Sequence, residues 1–305
     1  MRWTKKSLII EPRGRFDWMV THASVPFAMH LEGNIYRIYF GGRSKENKTR
    51  PGYIEIDLKN PTEFLNMPPK PVLELGEPGL FDDSGVWCHS IVENKGIYYM
   101  YYNGWMKGAN VPYYSAIGLA ISKDGGKTFE KYSRAPIFER NKIEPYIVGG
   151  PCVLIESRIW RMWYLSAIDF KIENGGPTYY YHIKYAESKD GINWKRDGIV
   201  CIDFRYEGET RIARPCVIKE DAMYKMWYCY AIGAGGYRIG YAESEDGTKW
   251  ERKDEEAGID VSESGWDSEM VCYPFVFDHK GQKYMLYNGN GYGKTGFGYA
   301  TLEEE

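Results

Sequence analysis

Several things are missing from this sequence. Its six cysteines include no C-x-x-C pair, so neither a zinc ribbon nor a thioredoxin-type redox motif is indicated. There is no excess of positive charge. Against 39 Lys and Arg stand 42 Asp and Glu, giving a formal charge of -3 and a pI near 6.1. Nucleic-acid recognition, which needs a basic face, has no electrostatic basis here. No apolar run is long enough to span a bilayer. The opening MRWTKKSLIIEPRG holds only a short apolar stretch, less than a secretory signal requires. A cytoplasmic protein without nucleic-acid or membrane partners is therefore expected. No sequence feature calls for a metal or other cofactor. Helical periodicity is almost absent along the chain.

What the chain has in quantity is aromatic residues and glycine. Aromatics make up 16% of 305 residues, with 27 Tyr and 10 Trp, and there are 34 Gly. Aromatic runs favour strands, and glycine-rich turns join them. The stretch YAESKDGINWKRDG from Tyr185 returns as YAESEDGTKWERKD from Tyr241 and, more loosely, as LAISKDGGKTFEKY from Leu119. Upstream of each copy lies an apolar strand, a turn and a very aromatic strand. PCVLIESRIWRMWYLSA from Pro151 and PCVIKEDAMYKMWYCYA from Pro215 are the clearest cases. The same frame starts at Pro26, His89 and Pro274, so the five units are spaced 63, 62, 64 and 59 residues apart.

Each unit reads as four antiparallel strands, and four-stranded units in series indicate a β-propeller. The fifth unit stops after its third strand, GFGYATLEEE. WTKKSLII from Trp3 matches WKRDGIVC from Trp194 and can supply the missing strand. The expectation is an all-β, five-bladed propeller forming one domain over 1–305, with the N-terminal strand closing the ring. S-x-D-G-x-x-W is then the turn between third and fourth strands. Gly125, Gly191 and Gly247 suit positive φ there, and Asp124, Asp190 and Asp246 can bond the turn backbone. Phe129, Trp194 and Trp250 can pack between blades. Cys152 and Cys216, each following a proline, read as small core residues.

The entries to the first strands and the exits from the second strands share one face, around the axis. A pocket at that mouth is the natural concave site. Three carboxylates stand at similar depth in three entries: Asp83 six residues before His89, Glu209 six before Pro215, and Glu269 five before Pro274. Such groups suit acid–base chemistry. Each could equally cap a turn or pair with an arginine. Arg211 and Arg214, close behind Glu209, could hold it in such a pair, or could grip a carboxylate or phosphate on a substrate. His22, His89, Trp87, Trp105, Tyr273, Asn288 and Asn290 complete the candidate binding set. The aromatic members are suited to stacking on sugar faces.

With these repeats and entry residues, the whole chain resembles the five-bladed propeller glycosidases of the arabinanase, levansucrase and invertase type, in glycoside hydrolase families 43, 32 and 130. The resemblance implies hydrolysis of a glycosidic bond in the axial funnel. Glu209 would be the general acid, with Asp83 and Glu269 as base or orienting carboxylates. One departure stands out. Where those families have Asp before the first-blade proline, this chain has Val25. Two other readings therefore remain open: phosphorolysis with an arginine phosphate site, and glycan binding without catalysis.

Overall fold

The computed structural model describes residues 1–173 and 176–303. These residues form strands joined by turns and loops. The exceptions to the strand-and-turn pattern are one 3-10 turn at Asp254–Glu256 and one helical turn at Asn290–Gly293. No helix among them is long and apolar enough to cross a membrane.

The strands fall into five antiparallel groups. The first contains Ala23–Glu32, Ile35–Arg43, Thr49–Asp57 and Phe64–Asn66. The second contains Gly85–Asn94, Ile97–Lys107, Tyr113–Ser122 and Glu130–Lys131. In the third, Val148–Glu156, Ile159–Glu173 and Gly176–Ser188 are flanked by Trp194–Lys195 and Val200–Ile202. The fourth contains Glu209–Glu220, Met223–Ile232, Arg238–Ser244 and Glu251–Arg252. In the fifth, Cys272–His279, Gln282–Asn288 and Phe297–Leu302 are joined by Trp3–Ile10, with Trp3 opposite Leu302 and Lys5 opposite Ala300. The expected pairing of chain start with chain end is therefore present. The first strands pack in sequence, group on group, and that of the fifth also packs on that of the first.

The core lies between groups. Phe27 and Tyr39 of the first pack with Val86 and Met100 of the second. Similar clusters join second to third, third to fourth and fourth to fifth, and Ile10 and Phe297 of the fifth pack with Ile38 and Phe40 of the first. The repeated turn explains part of this. Its following aromatic meets a second-strand aromatic of the preceding group: Phe129 on Tyr39, Trp194 on Tyr101 and Trp250 on Trp163, with ring centroids 6.1, 5.8 and 6.2 Å apart. Edge-on pairs of this kind add about 0.5–1.5 kcal/mol each beyond their buried area. The turn glycine carbonyls then accept hydrogen bonds from the same second-strand rings, Gly126 from Tyr39, Gly191 from Tyr101 and Gly247 from Trp163, each at 2.7 Å. Trp3 packs edge-on against Trp227 at 6.1 Å in the same way. There the Trp227 indole nitrogen lacks a partner among the described residues.

Asp124, Asp190 and Asp246 behave as the sequence suggests. Each accepts two backbone N–H bonds of its own turn. Slight burial opposes ionisation of Asp124, but hydrogen bonds from Ser122 and Thr128 outweigh it and hold the carboxyl at about 2. Gly125, Gly191 and Gly247 have φ near +75° to +78°.

Candidate functional site

Proline cannot donate to a sheet ladder, so a strand led by proline bulges there. Four of the five first strands carry proline there and the second carries His89, yet all five are irregular at this point. The pairing skips between Ser24 and Phe27, Cys88 and Ser90, Gly149 and Cys152, Ala213 and Cys216, and Cys272 and Phe275. Bulges re-aim side chains. Here they bring Val25, His89, Gly150, Arg214 and Tyr273, one from each group, to the wall of one cavity of about 470 Å³. Val25, Arg214 and Tyr273 have φ of 57°, 55° and 56°. Left-handed backbone at such residues costs roughly 1–3 kcal/mol apiece and collects at functional sites.

The cavity has an aromatic wall and a cationic one. Trp87 and Trp105 stack with centroids 6.0 Å apart and planes 26° apart. Their flat seats are Gly41 and Gly85, where an added Cβ would lie 2.3 Å from Trp87 and 1.8 Å from Trp105. Tyr113, Tyr181, Tyr237 and Tyr273 also line the cavity, with Asn103 and Ser115. Burial pushes the Tyr181 phenol up to about 12, so it stays protonated at neutral pH and hydrogen-bonds Tyr237. The charged residues facing the space are Arg43, Lys107 and Arg214, and no carboxylate is among its described lining. Buried polar atoms without a partner gather here: Arg43 Nε, Trp87 Nε1, His89 Nδ1, Asn103 Oδ1, Trp105 Nε1 and Arg214 Nε. Burial, with Arg214 adding to it, drives the His89 pKa well below its ordinary value. Burial and then Arg43 lower His22 to about 4. Both imidazoles are therefore neutral at pH 7.

Of the residues singled out in the sequence, Trp87, His89, Trp105, Arg214 and Tyr273 meet in this cavity. The carboxylates do not. The Glu209 side chain is fully buried outside it, in a bidentate pair with Arg252 at 2.8 and 2.9 Å, and also accepts from the backbone N–H of Arg205 and Tyr206. Asp83 closes its own loop, accepting from Gly79 N–H and the Ser84 hydroxyl. Glu269 is exposed; its backbone N–H donates to Asn290. Arg211 is turned away onto Tyr292 and the carbonyls of Gly233 and Gly235. Asn288 ties Val25 N–H to the carbonyls of Ala23 and Gly296, and Asn290 braces the loop at Gly265–Met270. His22 stands near Arg43 but does not line the cavity.

Glu209 is one copy of a repeated device. Asp82 binds Lys131 and the Tyr102 hydroxyl. Glu144 binds Arg196 and Tyr164, and Asp267 binds Lys5 and Tyr287. In the fourth group Arg252 joins Glu209 to Asp254, which takes the Tyr228 hydroxyl. In the second, third and fifth groups the entry carboxylate itself joins a second-strand tyrosine to a cation at the fourth strand, and in the fourth group Arg252 makes that link through Asp254. The cation stands two residues after the fourth-strand aromatic, and Lys5 holds that place after Trp3. In the first group the matching residues are Phe40 and Asn66. The sequence reading missed Asn103, Tyr113, Tyr181 and Tyr237 as cavity residues. Asn103 lies toward the end of Ile97–Lys107 and Arg43 closes Ile35–Arg43, within the second-strand exit sequences YNGW and GGR.

No family profile matches the chain. Among curated proteins it is 41% identical to uncharacterized protein MT1551 of Mycobacterium tuberculosis strain CDC 1551, over 99% of this chain and 100% of that protein. Uncharacterized protein Rv1502 of strain H37Rv matches with the same identity and coverage. The chain belongs to the family of these mycobacterial proteins. Solved structures carry the fold. A protein described as a glycoside hydrolase superposes with a TM-score of 0.77 over 99% of this chain and 92% of its own, at 18% identity. A thermostable family-43 glycoside hydrolase gives 0.70 over 96% and 91%, at 17%. A structure from the GH130 family of mannoside phosphorylases, which contains glycoside hydrolases that target β-1,2 mannosidic linkages in Candida mannan, gives 0.71 over 99% and 93%, at 16%. The chain thus shares the all-β fold of the propeller glycosidases.

Proposed function

We propose that the five strand groups are the blades of one closed propeller domain, and that its axial cavity engages a carbohydrate. The observation carrying this is the cavity itself. A stacked Trp87–Trp105 wall faces unpartnered donors and acceptors on Arg43, His89, Asn103 and Arg214. Sugars present an apolar face and a hydroxyl rim, which such a site matches. The likeness of fold to glycosidases supports the same reading.

Two-carboxylate hydrolysis is not our leading reading. It needs carboxyls flanking the bond, about 5–5.5 Å apart for retention or 6.5–9.5 Å for inversion. Among the described lining residues there are none, and Glu209 has the surroundings of a structural lock. Phosphorolysis is the second reading, favoured by the cations around the cavity. A panel of oligosaccharides and aryl glycosides, tested for binding and for product release with and without phosphate, checks both. We expect saturable binding that Trp87→Ala weakens, and no phosphate-independent cleavage. Phosphate-dependent product release would select the second reading. Phosphate-independent hydrolysis abolished by Glu209→Gln would refute both. Absence of binding to any saccharide would refute the carbohydrate assignment.

A further inference from the structure

Among the described residues most inward-facing cations are neutralised by carboxylates, and Arg214 is the one fully buried cation that is not. Arg37, 3% exposed, is paired with Glu55, Arg196 with Glu144, and Arg252 with Glu209 and Asp254. Lys131 and Lys184, also inside, meet Asp82 and Glu144. Arg214 is 2% exposed and has no ion pair among the described residues. Its Nη2 donates to the Pro26 carbonyl at 3.2 Å, while its Nε is buried and unpartnered. Arg43 is half-buried beside Trp87, again without a carboxylate, and its Nε is also unpartnered. His89 adds a buried, unpartnered Nδ1 to the same cavity. Burying a charge without a counter-charge is strongly unfavourable. A guanidinium fork with free donors is built for an oxyanion.

Resting on the carbohydrate reading and deepening it, we infer that the axial cavity contains an oxyanion subsite, formed by Arg43 and Arg214 with His89 at its edge, for a phosphate or carboxylate group of the ligand. The missing counter-charge arrives with that ligand. The Trp87–Trp105 wall then takes the uncharged sugar face. The oxyanion has two possible sources, free phosphate binding beside a neutral sugar or an anionic group carried by the sugar itself, and the two can be separated.

Binding to the full-length protein is measured by calorimetry and thermal shift with four probes: inorganic phosphate, glucuronate, glucose 6-phosphate and neutral glucose or its oligomers. Each is run on wild type, Arg214→Met, Arg43→Met and Trp87→Ala. At least one anionic probe should bind wild type, and either arginine substitution should weaken it about tenfold to a hundredfold, the range for a charged hydrogen bond. Ligand-free Arg214→Met should melt no lower than wild type, since it removes an uncompensated charge. Arg43→Met gives the same test if Arg214→Met does not fold. Binding of inorganic phosphate alone assigns the source as free phosphate, and binding of the sugar acids alone assigns it to the sugar. The inference is overturned if no anion binds, or if anions bind equally to both arginine variants. Neutral sugars binding in a Trp87-dependent way, with no response to any anion, would sink the oxyanion subsite and leave the carbohydrate reading standing. Arginine-dependent anion binding untouched by Trp87→Ala, with no saccharide bound, would instead sink the carbohydrate reading.

Discussion

Replacing Glu209 by Gln separates a lock from a catalyst. In the fold Glu209 takes four hydrogen bonds: two from Arg252 and one each from the backbone of Arg205 and Tyr206. A glutamine has one acceptor oxygen, so its amide nitrogen must face either the guanidinium or the backbone donors. Breaking a buried ion pair costs about 3–5 kcal/mol when a bare charge is left behind. Arg252 keeps Asp254 at 2.7 and 3.1 Å, which holds the loss near the lower end, at about 3 kcal/mol. At about 1.5–2 °C per kcal/mol for a chain of this length, the melting temperature should fall by about 4–6 °C. Glu144→Gln and Asp267→Asn, which break equivalent locks, should destabilise comparably. Ligand affinity, measured well below the melting transition, should match wild type in all three. The assay is a thermal melt with parallel calorimetric titration of whichever saccharide binds. A Glu209→Gln protein that melts like wild type but has lost turnover, worst on poor leaving groups, would refute the lock and restore Glu209 as a general acid.

Deleting residues 1–10 removes the strand paired with Phe297–Leu302, the Trp3–Trp227 contact and the Lys5–Asp267 pair; the cooperative melt should be lost or lowered throughout, and an unchanged melt would exclude closure by this strand. Asp124 and Asp246 titrate at about 2 in the fold against an ordinary 3.8, so their stabilisation is complete above the ordinary value and is lost as pH falls through about 2. Changing Asp124, Asp190 and Asp246 together to Asn should flatten the acid limb of a stability-against-pH curve, and an identical limb would remove the turns from that account. Val25→Asp should relieve left-handed strain at a β-branched residue, because Asp tolerates φ near 57° better, and should also place a carboxylate beside the cavity arginines. The melting temperature should hold or rise while oxyanion binding falls at least tenfold, and undiminished binding would count against the subsite.

The fold was legible because its repeat is written in residues with strict local duties. A glycine at positive φ, an aspartate bonding its own turn and an aromatic three or four residues later specify one hairpin. Each such hairpin fastens to the neighbouring group through Tyr39, Tyr101 or Trp163. Phase followed from the prolines. Even the split fifth group could be read, because Trp3 and Lys5 stand in the register of Trp194 and Arg196. The one-residue bulge at those prolines was less visible, since nothing in Val-Pro, Arg-Pro or Tyr-Pro states that the preceding side chain turns inward.

That bulge is why depth along the entry misplaced the carboxylates. Counting back five to seven residues from the proline, or from His89 in the second group, reaches the level where Asp82, Glu144, Glu209 and Asp267 lock the strand groups from behind, or their neighbours, the half-buried Asp83 and the exposed Glu269. The wall of the cavity is set at the bulge itself. The residues there are Val25, His89, Gly150, Arg214 and Tyr273, so the inner ring holds one fixed charge, and it is positive. A propeller with an acid at the first of these places presents an anion to its ligand. This chain has valine there and arginine at the matching place of the fourth strand group, with Arg43 added from a second-strand end. The potential in the cavity is thereby positive, and that favours the anionic ligand group we infer.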